Sequence, residues 1–185
     1  MLYLFLADGF EETEAIAPLD IIRRAEIPIK TVAVGENPVT GAHGIAVQAD
    51  ITADEVSMEE MDGVILPGGM PGTLNLKKDP VVVACLKHCA EKGKLIAAIC
   101  AAPMILGEMG LVDGRSAVCF PGFEEHLEGA NLKDDGVVTD GNLITAKGAG
   151  TALEFGAAIV DYCCQNTERA GKGGRLLSQM QFHYV

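Results

Sequence analysis

Three uninterrupted apolar runs constrain the fold of this chain more than any other feature of its sequence. They are Leu2–Leu6, Gly63–Leu66 and Leu95–Ile99. A strand that is apolar at nearly every position is typical of a sheet covered on both faces, whereas a half-exposed strand alternates polar and apolar residues. The runs therefore predict buried strands of a parallel sheet with a covering layer on each side.

Helical patterns separate these strands, and the alternation indicates the fold class. Strands that alternate with helices form mostly parallel sheets, because parallel neighbours need a crossover connection. We predict an α/β protein, a three-layer flavodoxin-like sandwich with a mostly parallel central sheet, folded as a single domain over residues 1–185. The predicted strands are Leu2–Leu6, Lys30–Val34, a short strand near Val39, Ile45–Val47, Gly63–Leu66, Leu95–Ile99, Ser116–Phe120, Val137–Thr139 and Leu143–Ala146. The predicted helices are one that directs Ile16, Leu19 and Ile22 toward the core, then Asp79–Lys92, Ala101–Met109, Thr151–Cys163 and Thr167–Leu177.

Acidic residues outnumber basic ones, and this balance bears on the partners of the protein. The 26 Asp and Glu against 14 Lys and Arg give a net charge of −12. Nucleic acids and anionic membranes bind clustered Lys and Arg, so neither is expected as a partner. The apolar run at the start is too short to span a bilayer, and it lacks the basic segment and cleavage site of a secretory signal. We expect a cytoplasmic protein.

The chain contains six cysteines, which we expect to be reduced. A chain this apolar can stabilise its core without disulfides, and no secretory signal precedes them. Cys85, His88 and Cys89 lie close together on a predicted helix, as metal ligands can. No second ligand cluster of the CxxC or HxxxH type accompanies them, so packing on a helix face is favoured for Cys85 and Cys89, and His88 is expected to be solvated. We predict neither a metal nor another cofactor.

Cys100 joins the apolar strand Leu95–Ile99 directly to the next predicted helix, an arrangement that indicates a nucleophile elbow. In open parallel sheets the functional crevice lies beyond the carboxyl ends of the strands, where residues 7–13, 67–72 and 99–102 should meet. A thiol at a helix N-terminus lies near unpaired amides and the positive end of the helix dipole, which stabilise a thiolate. Position alone leaves a second interpretation open, a cysteine that only packs between sheet and helix.

The acidic run Glu11-Glu12-Thr13-Glu14 supplies a carboxyl group for the same crevice. Glu11 and Glu12 are expected to complement the dipole of the following helix. Glu14 differs because Pro18 cannot donate a hydrogen bond to its carbonyl, so we expect a distorted first turn that directs this carboxyl into the crevice. A carboxyl buried there would have a raised pKa and could donate a hydrogen bond to a thiolate.

The run Pro67-Gly68-Gly69 follows a buried strand and would place backbone amides near the same point. Together with the amide of Ala101, these groups could form an oxyanion hole. Gly-Gly pairs are also common in simple turns, and that interpretation stays open here.

Four blocks of the sequence resemble the ThiJ/PfpI superfamily, in the branch that contains the parkinsonism-associated deglycase and its close bacterial relatives. The blocks are LADGFEETEAIAPLDIIRRA, VILPGGMPG, IAAICAAP and AKGAGTALEFGAAIVD, and they extend over nearly the whole chain. The resemblance implies that Cys100 is the catalytic nucleophile and that Glu14 contacts it. It also implies an oxyanion hole formed by the amides of Gly69 and Ala101, and a homodimer with each site near the interface.

The resemblance further implies an activity. Members are associated with glyoxalase III-type conversion of methylglyoxal to lactate, with deglycation of early glycation adducts, and with chaperone or oxidative-stress functions. We therefore expect a cysteine-dependent enzyme whose substrate is a small reactive carbonyl or a glycated molecule, in which a thiolate adds to an aldehyde and Glu14 transfers protons. The alternative is a redox-sensing or chaperone protein whose Cys100 is oxidised rather than catalytic.

The sequence departs from this family at the mouth of the expected site. Many relatives carry a histidine where this chain has Phe120, and His126 is not expected to replace it, so a Cys–His pair is in question. His43 stands where some relatives carry an arginine in the hairpin. His43 and Arg24 are the candidate residues for binding an anionic group, although Arg24 is equally well interpreted as a surface charge of the first helix.

Overall fold

The computed structural model describes residues 1–183, which form one seven-stranded sheet and two separate two-stranded pairs. The strands of these residues are β1 (Leu2–Ala7), β2 (Ile29–Val34), β3 (Val39–Thr40), β4 (Ala46–Val47), β5 (Ile51–Thr52), β6 (Gly63–Leu66), β7 (Leu95–Ile99), β8 (Ser116–Ala117), β9 (Asn131–Leu132), β10 (Val137–Asp140) and β11 (Leu143–Ala146). Their helices are α1 (Glu12–Arg24), α2 (Gly72–Lys78), α3 (Pro80–Lys92), α4 (Pro103–Glu108), α5 (Ala152–Cys164) and α6 (Lys172–Gln179). Across residues 1–183, no helix has both the length and the apolar character that crossing a bilayer requires.

The large sheet has the order β10-β11-β7-β6-β1-β2-β5, and its neighbours are parallel except for the terminal hairpin of β10 and β11. In β1 the residues Leu2, Leu4 and Leu6 pack into a core with α1, α5 and α6. The alternate residues of β1, which are Tyr3, Phe5 and Ala7, pack with α3 and α4 on the opposite face. Successive side chains of a strand point to opposite faces, so both faces of the sheet are covered. The predicted three-layer sandwich is confirmed.

One helix was not predicted, and two others begin two or more residues later than predicted. The run rich in glycine and proline after β6 indicated a turn, but its last residue, Gly72, begins α2. α4 begins at Pro103 rather than at Ala101, in agreement with the preference of proline for the first helical turn. α6 begins at Lys172 rather than at Thr167.

The predicted strand Ser116–Phe120 is observed only at its start, as β8. From Val118 onward the chain bonds to the large sheet in an irregular conformation. The amide of Val118 donates to Oγ1 of Thr145 at 2.9 Å, and the amide of Phe120 donates to the carbonyl of Cys100 at 2.8 Å. These two bonds carry Phe120 to the carboxyl edge of the sheet, beside Cys100.

The apolar face of α1 is narrower than predicted. Leu19 and Ile22 are buried, but Ile16 is 39% exposed. The first turn of the helix instead buries two carboxyl groups, those of Glu12 and Glu14. Charged side chains are rarely buried without partners, so the contacts of these two residues indicate where the chain has specific chemistry.

The loops at the carboxyl ends of β1, β6, β7 and β11 meet at one edge of the sheet. The amide of Glu11 donates to the carbonyl of Gly68 at 2.9 Å, which joins the first two loops. The amide of Cys100 donates to the carbonyl of Ala146 at 2.9 Å, which joins the last two. The predicted convergence is therefore observed, and a fourth loop, after β11, takes part in it.

Candidate active site

Cys100 occupies a sharp turn between β7 and α4. Its φ is 65°, in the left-handed region that residues other than glycine rarely adopt. Hydrogen bonds hold the turn on both sides, because its amide donates to Ala146 and its carbonyl accepts from Phe120. A strained strand-to-helix turn of this kind presents a nucleophile at the end of a sheet. The backbone at Cys100 is thus the elbow that the sequence predicts.

The surroundings of the Cys100 sulfur differ from those predicted. α4 has six residues and begins three positions after Cys100, so the thiol does not lie in the first turn of a long helix. The backbone amides of Gly69 and Ala101 hydrogen-bond to the sulfur instead. Both amides belong to loops at the carboxyl edge, so the structure brings together the cysteine and the two residues expected to form the oxyanion hole.

Glu14 lies beside Cys100 with only 1% of its surface exposed. Its Oε2 accepts a hydrogen bond from the amide of Gly68 at 2.9 Å. The carboxyl group is also hydrogen-bonded to the thiol of Cys100 and to the amide of Ala149. A thiol, a carboxyl group and backbone amides from three loops therefore converge on one point.

Pro18 does not distort α1, contrary to prediction. The helix runs unbroken over Glu12–Arg24, with Pro18 in its interior. Pro18 packs against α5 at Gly156, where an added Cβ would lie 2.7 Å from the proline Cα. The carboxyl group of Glu14 reaches the crevice because the whole helix is packed close to α5 and the sheet, and not because of a local kink.

The pKa values of Cys100 and Glu14 are shifted by burial and by each other. Burial raises the pKa of Glu14 to about 7, although hydrogen bonds from Cys100 and Gly68 act in the opposite direction. Burial, followed by the charge and hydrogen bond of Glu14, raises the pKa of the Cys100 thiol to about 12, against the effect of its two amides. The resting site therefore holds a protonated sulfur rather than the predicted thiolate. A carboxylate hydrogen-bonded to that thiol is placed to remove its proton when a substrate arrives.

Two successive glycines bring the loop after β6 against this pair. A Cβ at Gly68 would lie 2.6 Å from Cβ of Cys100 and 2.7 Å from Oε2 of Glu14. Gly69 has a φ of 89°, and a Cβ there would lie 2.3 Å from the amide nitrogen of Glu11. Larger residues would displace the amides from the sulfur and the carboxyl group, so the Gly-Gly pair is a requirement of the site and not only a turn.

The loop after β11 reaches the site as well, and sequence reasoning missed it. The amide of Ala149 hydrogen-bonds to Glu14. The backbone of Gly148 lies so near that an added Cβ would be 3.7 Å from Oε1 of Glu14 and 3.2 Å from the ring of Phe120. The available signal was the run Gly148-Ala149-Gly150, which follows a strand end at the same edge of the sheet.

Phe120 lies at the mouth of the site and is 46% exposed. Phe123 meets its ring edge-on, with the ring centroids 6.5 Å apart. His126 is directed away, with its Nδ1 3.2 Å from Oε1 of Glu108 in α4. No imidazole of residues 1–183 therefore hydrogen-bonds to Cys100, and Glu14 is the titratable partner of the thiol.

Glu12 and His43 form a second polar cluster, at the hairpin of β3 and β4. Oε2 of Glu12 lies 2.9 Å from Nδ1 of His43, and its Oε1 accepts from the His43 amide at 2.8 Å and from the Ile45 amide at 3.3 Å. Burial opposes the charge of Glu12, but these hydrogen bonds outweigh it and lower the Glu12 pKa to about 2. Glu12 therefore anchors the hairpin, whereas the sequence suggested a simple helix-dipole charge.

His43 and Arg24, the two residues expected to bind an anion, have partners other than Cys100 and Glu14. The hydrogen bond to Glu12 and the charge of Glu11 raise the pKa of His43, and the same carboxylates would repel an anion. Arg24 ends α1, about 15 Å along the helix axis from Glu14. Its Nε lies 2.7 Å from Oδ2 of Asp20, as a surface helix charge would.

Within residues 1–183, one group of potential metal ligands has its atoms within 4.8 Å of one another, namely Glu11, Glu12 and His43. Both carboxylate oxygens of Glu12 already accept hydrogen bonds from the hairpin. Cys85 and Cys89 are fully buried in the core beneath α3, which confirms their role in packing. His88 is half-buried, and its Nε2 is buried rather than solvated.

Comparison with known proteins finds relatives over most of the chain. Residues 1–162 match the family model described as the DJ-1/PfpI family. Protein dj-1beta of Drosophila melanogaster is 36% identical over 172 residues, which are 91% of this chain and 89% of that protein. Protein DJ-1 homolog B of Arabidopsis thaliana is 37% identical over 158 residues, which are 84% of this chain. This chain spans only 36% of the length of the Arabidopsis protein.

Some relatives carry names that state an activity. A deglycase of Pyrococcus horikoshii is 33% identical, with 80% of this chain and 90% of that protein covered. A glutathione-independent glyoxalase of Caenorhabditis elegans is 34% identical, with 86% of each chain covered. Among solved structures, oxidized Toxoplasma gondii DJ-1 has a TM-score of 0.91 at 29% identity, covering 99% of this chain and 98% of that one.

Proposed function

Because the chain belongs to the DJ-1/PfpI family, we propose that it is a cysteine-dependent enzyme that acts on reactive carbonyls. The activity is of the glyoxalase III or deglycase type, on methylglyoxal or its early adducts, and it protects against carbonyl and oxidative stress. The observation that carries this proposal is the hydrogen-bonding of one sulfur, that of Cys100, to Glu14 and to the amides of Gly69 and Ala101. The names of the deglycase and glyoxalase relatives support the class of substrate.

The first step is attack of the sulfur on the aldehyde carbon, C1, of an α-oxoaldehyde. The Glu14 carboxylate accepts the thiol proton as the carbon–sulfur bond forms, and the carbonyl π electrons move to oxygen. The amides of Gly69 and Ala101 stabilise this oxyanion, which then takes the proton from Glu14 to give a hemithioacetal. A carboxyl group whose pKa is about 7 is both a competent base and a competent acid at neutral pH.

The second step moves a proton between the two carbons of the substrate. Glu14, again a carboxylate, removes the proton from C1 and returns it to the neighbouring carbon, C2, by way of an enediol, while the hydroxyl proton on the C1 oxygen passes to the C2 oxygen. The product is a thioester of an α-hydroxy acid, and water hydrolyses it to release the acid and the Cys100 thiol. C1 is oxidised while C2 is reduced, so the electrons balance within the substrate.

The direct test is formation of lactate from methylglyoxal by wild type and by Cys100→Ala. Wild type is expected to form lactate and Cys100→Ala is not. Cys163→Ala is the matched control, because it removes another partly exposed thiol, at the far end of α5. Equal lactate formation by wild type and Cys100→Ala would show that the cysteine is not the nucleophile.

A redox-sensing or chaperone protein is the second candidate. Cys100 is partly exposed, and its two amides could hold the oxygens of an oxidised sulfur. A solved relative from Toxoplasma gondii is described as oxidized. No lactate from wild type, together with peroxide-dependent modification of Cys100, would favour this function over the enzyme.

We further propose that the protein is a homodimer and that it acts in the cytoplasm. Exposed Ile16 on α1 offers an apolar contact for a second copy. All six cysteines are free thiols in the structure, which suits a reducing compartment.

A further inference from the structure

The Phe120 ring at the mouth of the site takes no part in the chemical steps above. We propose that Phe120 selects α-oxoaldehydes that carry an aryl or other bulky apolar substituent, in preference to methylglyoxal and to polar sugar adducts. This inference rests on the proposed function, because it assigns a substrate class to the same site. Its basis is the position of an exposed aromatic ring relative to the group that must move the substrate proton.

The ring is held in place on several sides. The Phe120 amide donates to the Cys100 carbonyl at 2.8 Å, which fixes the backbone. Phe123 packs edge-on against the ring at a centroid distance of 6.5 Å. A Cβ added to Gly148 would lie 3.2 Å from Cδ2 of Phe120 and 3.7 Å from Oε1 of Glu14. The ring and the catalytic carboxyl group therefore border the same space.

The chemistry of the site directs the substrate substituent toward this space. C1 must lie at the Cys100 sulfur, with its oxygen at the amides of the oxyanion hole. C2 must lie within reach of Glu14, since that carboxyl group returns the proton to it. The substituent on C2 consequently extends from Glu14 along the Phe120 ring. A phenyl group can meet the ring in an offset or edge-on arrangement, whereas a methyl group covers only a small part of it.

The neighbouring side chains also favour a neutral apolar substituent. Met70, which directly follows the oxyanion-hole residue Gly69, is 42% exposed and adds apolar surface near the site. The charge of Glu11 acts on Glu14 and contributes to its raised pKa, so Glu11 is close enough to repel an anionic substituent. Phosphorylated or carboxylated α-oxoaldehydes are therefore expected to be poor substrates.

The test compares phenylglyoxal with methylglyoxal as substrates of wild type and Phe120→Leu, by formation of mandelate and lactate. Phe120→Leu is expected to lower the ratio of the two kcat/KM values, phenylglyoxal over methylglyoxal, by about three- to tenfold, the scale of one aromatic contact. The two aldehydes differ in intrinsic reactivity, but this difference is the same for every variant. It therefore cancels when the kcat/KM ratio of a variant is compared with the ratio of wild type. Leu132→Ala is the matched control, since Leu132 is 47% exposed but lies in β9, and its ratio should equal that of wild type.

The outcomes separate this inference from the proposed function. Turnover of both substrates with the same ratio in wild type and Phe120→Leu would overturn the selectivity and leave the enzymatic function intact. If wild type turns over neither substrate, the enzymatic function fails. The selectivity of Phe120 is then tested by ligand binding instead of by turnover. Mandelate and lactate titrated into wild type and Phe120→Leu, followed by NMR, should then show tighter binding of mandelate that Phe120→Leu weakens. Equal binding of the two acids would overturn the inference.

Discussion

The thiol of Cys100 is hydrogen-bonded to the buried carboxyl group of Glu14, and burial raises the pKa of both groups. The pKa of Glu14 is raised to about 7 and that of Cys100 to about 12. As the pH rises, the carboxyl group loses its proton first, and the thiol keeps its proton until a base removes it. Above pH 7 the pair is therefore a carboxylate base beside a protonated nucleophile, and this state is the reactive one in our mechanism.

We expect kcat/KM for methylglyoxal to rise as the pH increases through about 7 and then to level off. Glu14 must be ionised to accept the thiol proton, and it becomes ionised over this range. Glu14→Gln should lower kcat/KM by about 10²- to 10⁴-fold and abolish the inflection, because the amide cannot accept that proton. The measurement is the pH profile of lactate formation by both proteins. A wild-type profile that is flat through neutral pH would contradict the role of Glu14 as the base.

Glu14→Gln should also change the stability of the protein with pH. The folded-state pKa of Glu14, about 7, lies above the ordinary value of 4.5. Between these values the folded state binds more protons than the unfolded state, so the free energy of unfolding falls as the pH rises. Above pH 7 the ionised carboxyl group costs about 3 kcal/mol. Thermal unfolding should show Glu14→Gln more stable than wild type at high pH, with the gain smaller at pH 4; an equal effect at both values would contradict the buried-carboxyl account.

Phe120→His is expected to raise the turnover of methylglyoxal. The ring of Phe120 and Oε1 of Glu14 border the same space, so an imidazole at position 120 would lie near the substrate and could transfer protons. One well-positioned acid–base group typically raises the rate by about 10²- to 10⁴-fold. For an imidazole introduced at position 120 we expect a rise of about tenfold or more. Phe120→Leu is the control, because it removes the ring without adding a base. An unchanged or lower rate for Phe120→His would mean that Glu14 and Cys100 suffice.

A homodimer is expected at micromolar protein, in part through α1. Ile16 is 39% exposed on this helix, while its apolar neighbours Leu19 and Ile22 are buried in the core. Ile16→Glu would place a charge in an apolar interface and should shift the protein toward the monomer. Light scattering coupled to size exclusion measures both masses. A monomer mass for wild type would exclude the dimer at that concentration.

Limited peroxide is expected to oxidise Cys100 before the other thiols. Cys100 and Cys163 are partly exposed, whereas the remaining four are buried: Cys85, Cys89, Cys119 and Cys164. Burial raises the pKa of both thiols, to about 11 for Cys163 and about 12 for Cys100, so the thiolate fraction does not favour Cys100. Cys163 lines a cavity of about 380 Å³ at the opposite edge of the sheet. Only Cys100 of this pair has two backbone amides at its sulfur that can hold the oxygens of an oxidised product.

Peptide mass spectrometry tests this selectivity. No second cysteine of the described residues is hydrogen-bonded to Cys100, so oxidation should continue from the sulfenic acid to the sulfinate, with two oxygens added. Glu14→Leu removes a donor to the sulfinate and should alter how far oxidation proceeds. Earlier modification of Cys163 or Cys164 would show that the reactive thiol has been misplaced.

The sequence by itself determined the layered sheet and the position of Cys100 in it. Apolar runs of four to five residues can be buried on both faces only in a covered sheet, and β6 and β7 have the predicted bounds. Cys100 follows the last residue of β7, so its place at the carboxyl edge follows from the same pattern. These features depend on a residue and its near neighbours, which is the information that a sequence pattern carries.

Tertiary structure decided which polar groups reach Cys100. In the run Glu11–Glu14, residues two apart on a helix differ in direction by about 200°, so the packing of α1 on α5 sends Glu12 to the hairpin and Glu14 to the thiol. The amide of Ala149 was not predicted, because it reaches Glu14 only through the order that pairs β11 with β7. Burial in that assembled site, and not the local sequence, also raised the pKa of the thiol where the sequence suggested a thiolate. Helices and strands follow from local preferences, whereas the hydrogen bonds and desolvation that set this site's chemistry exist only once distant loops have packed together.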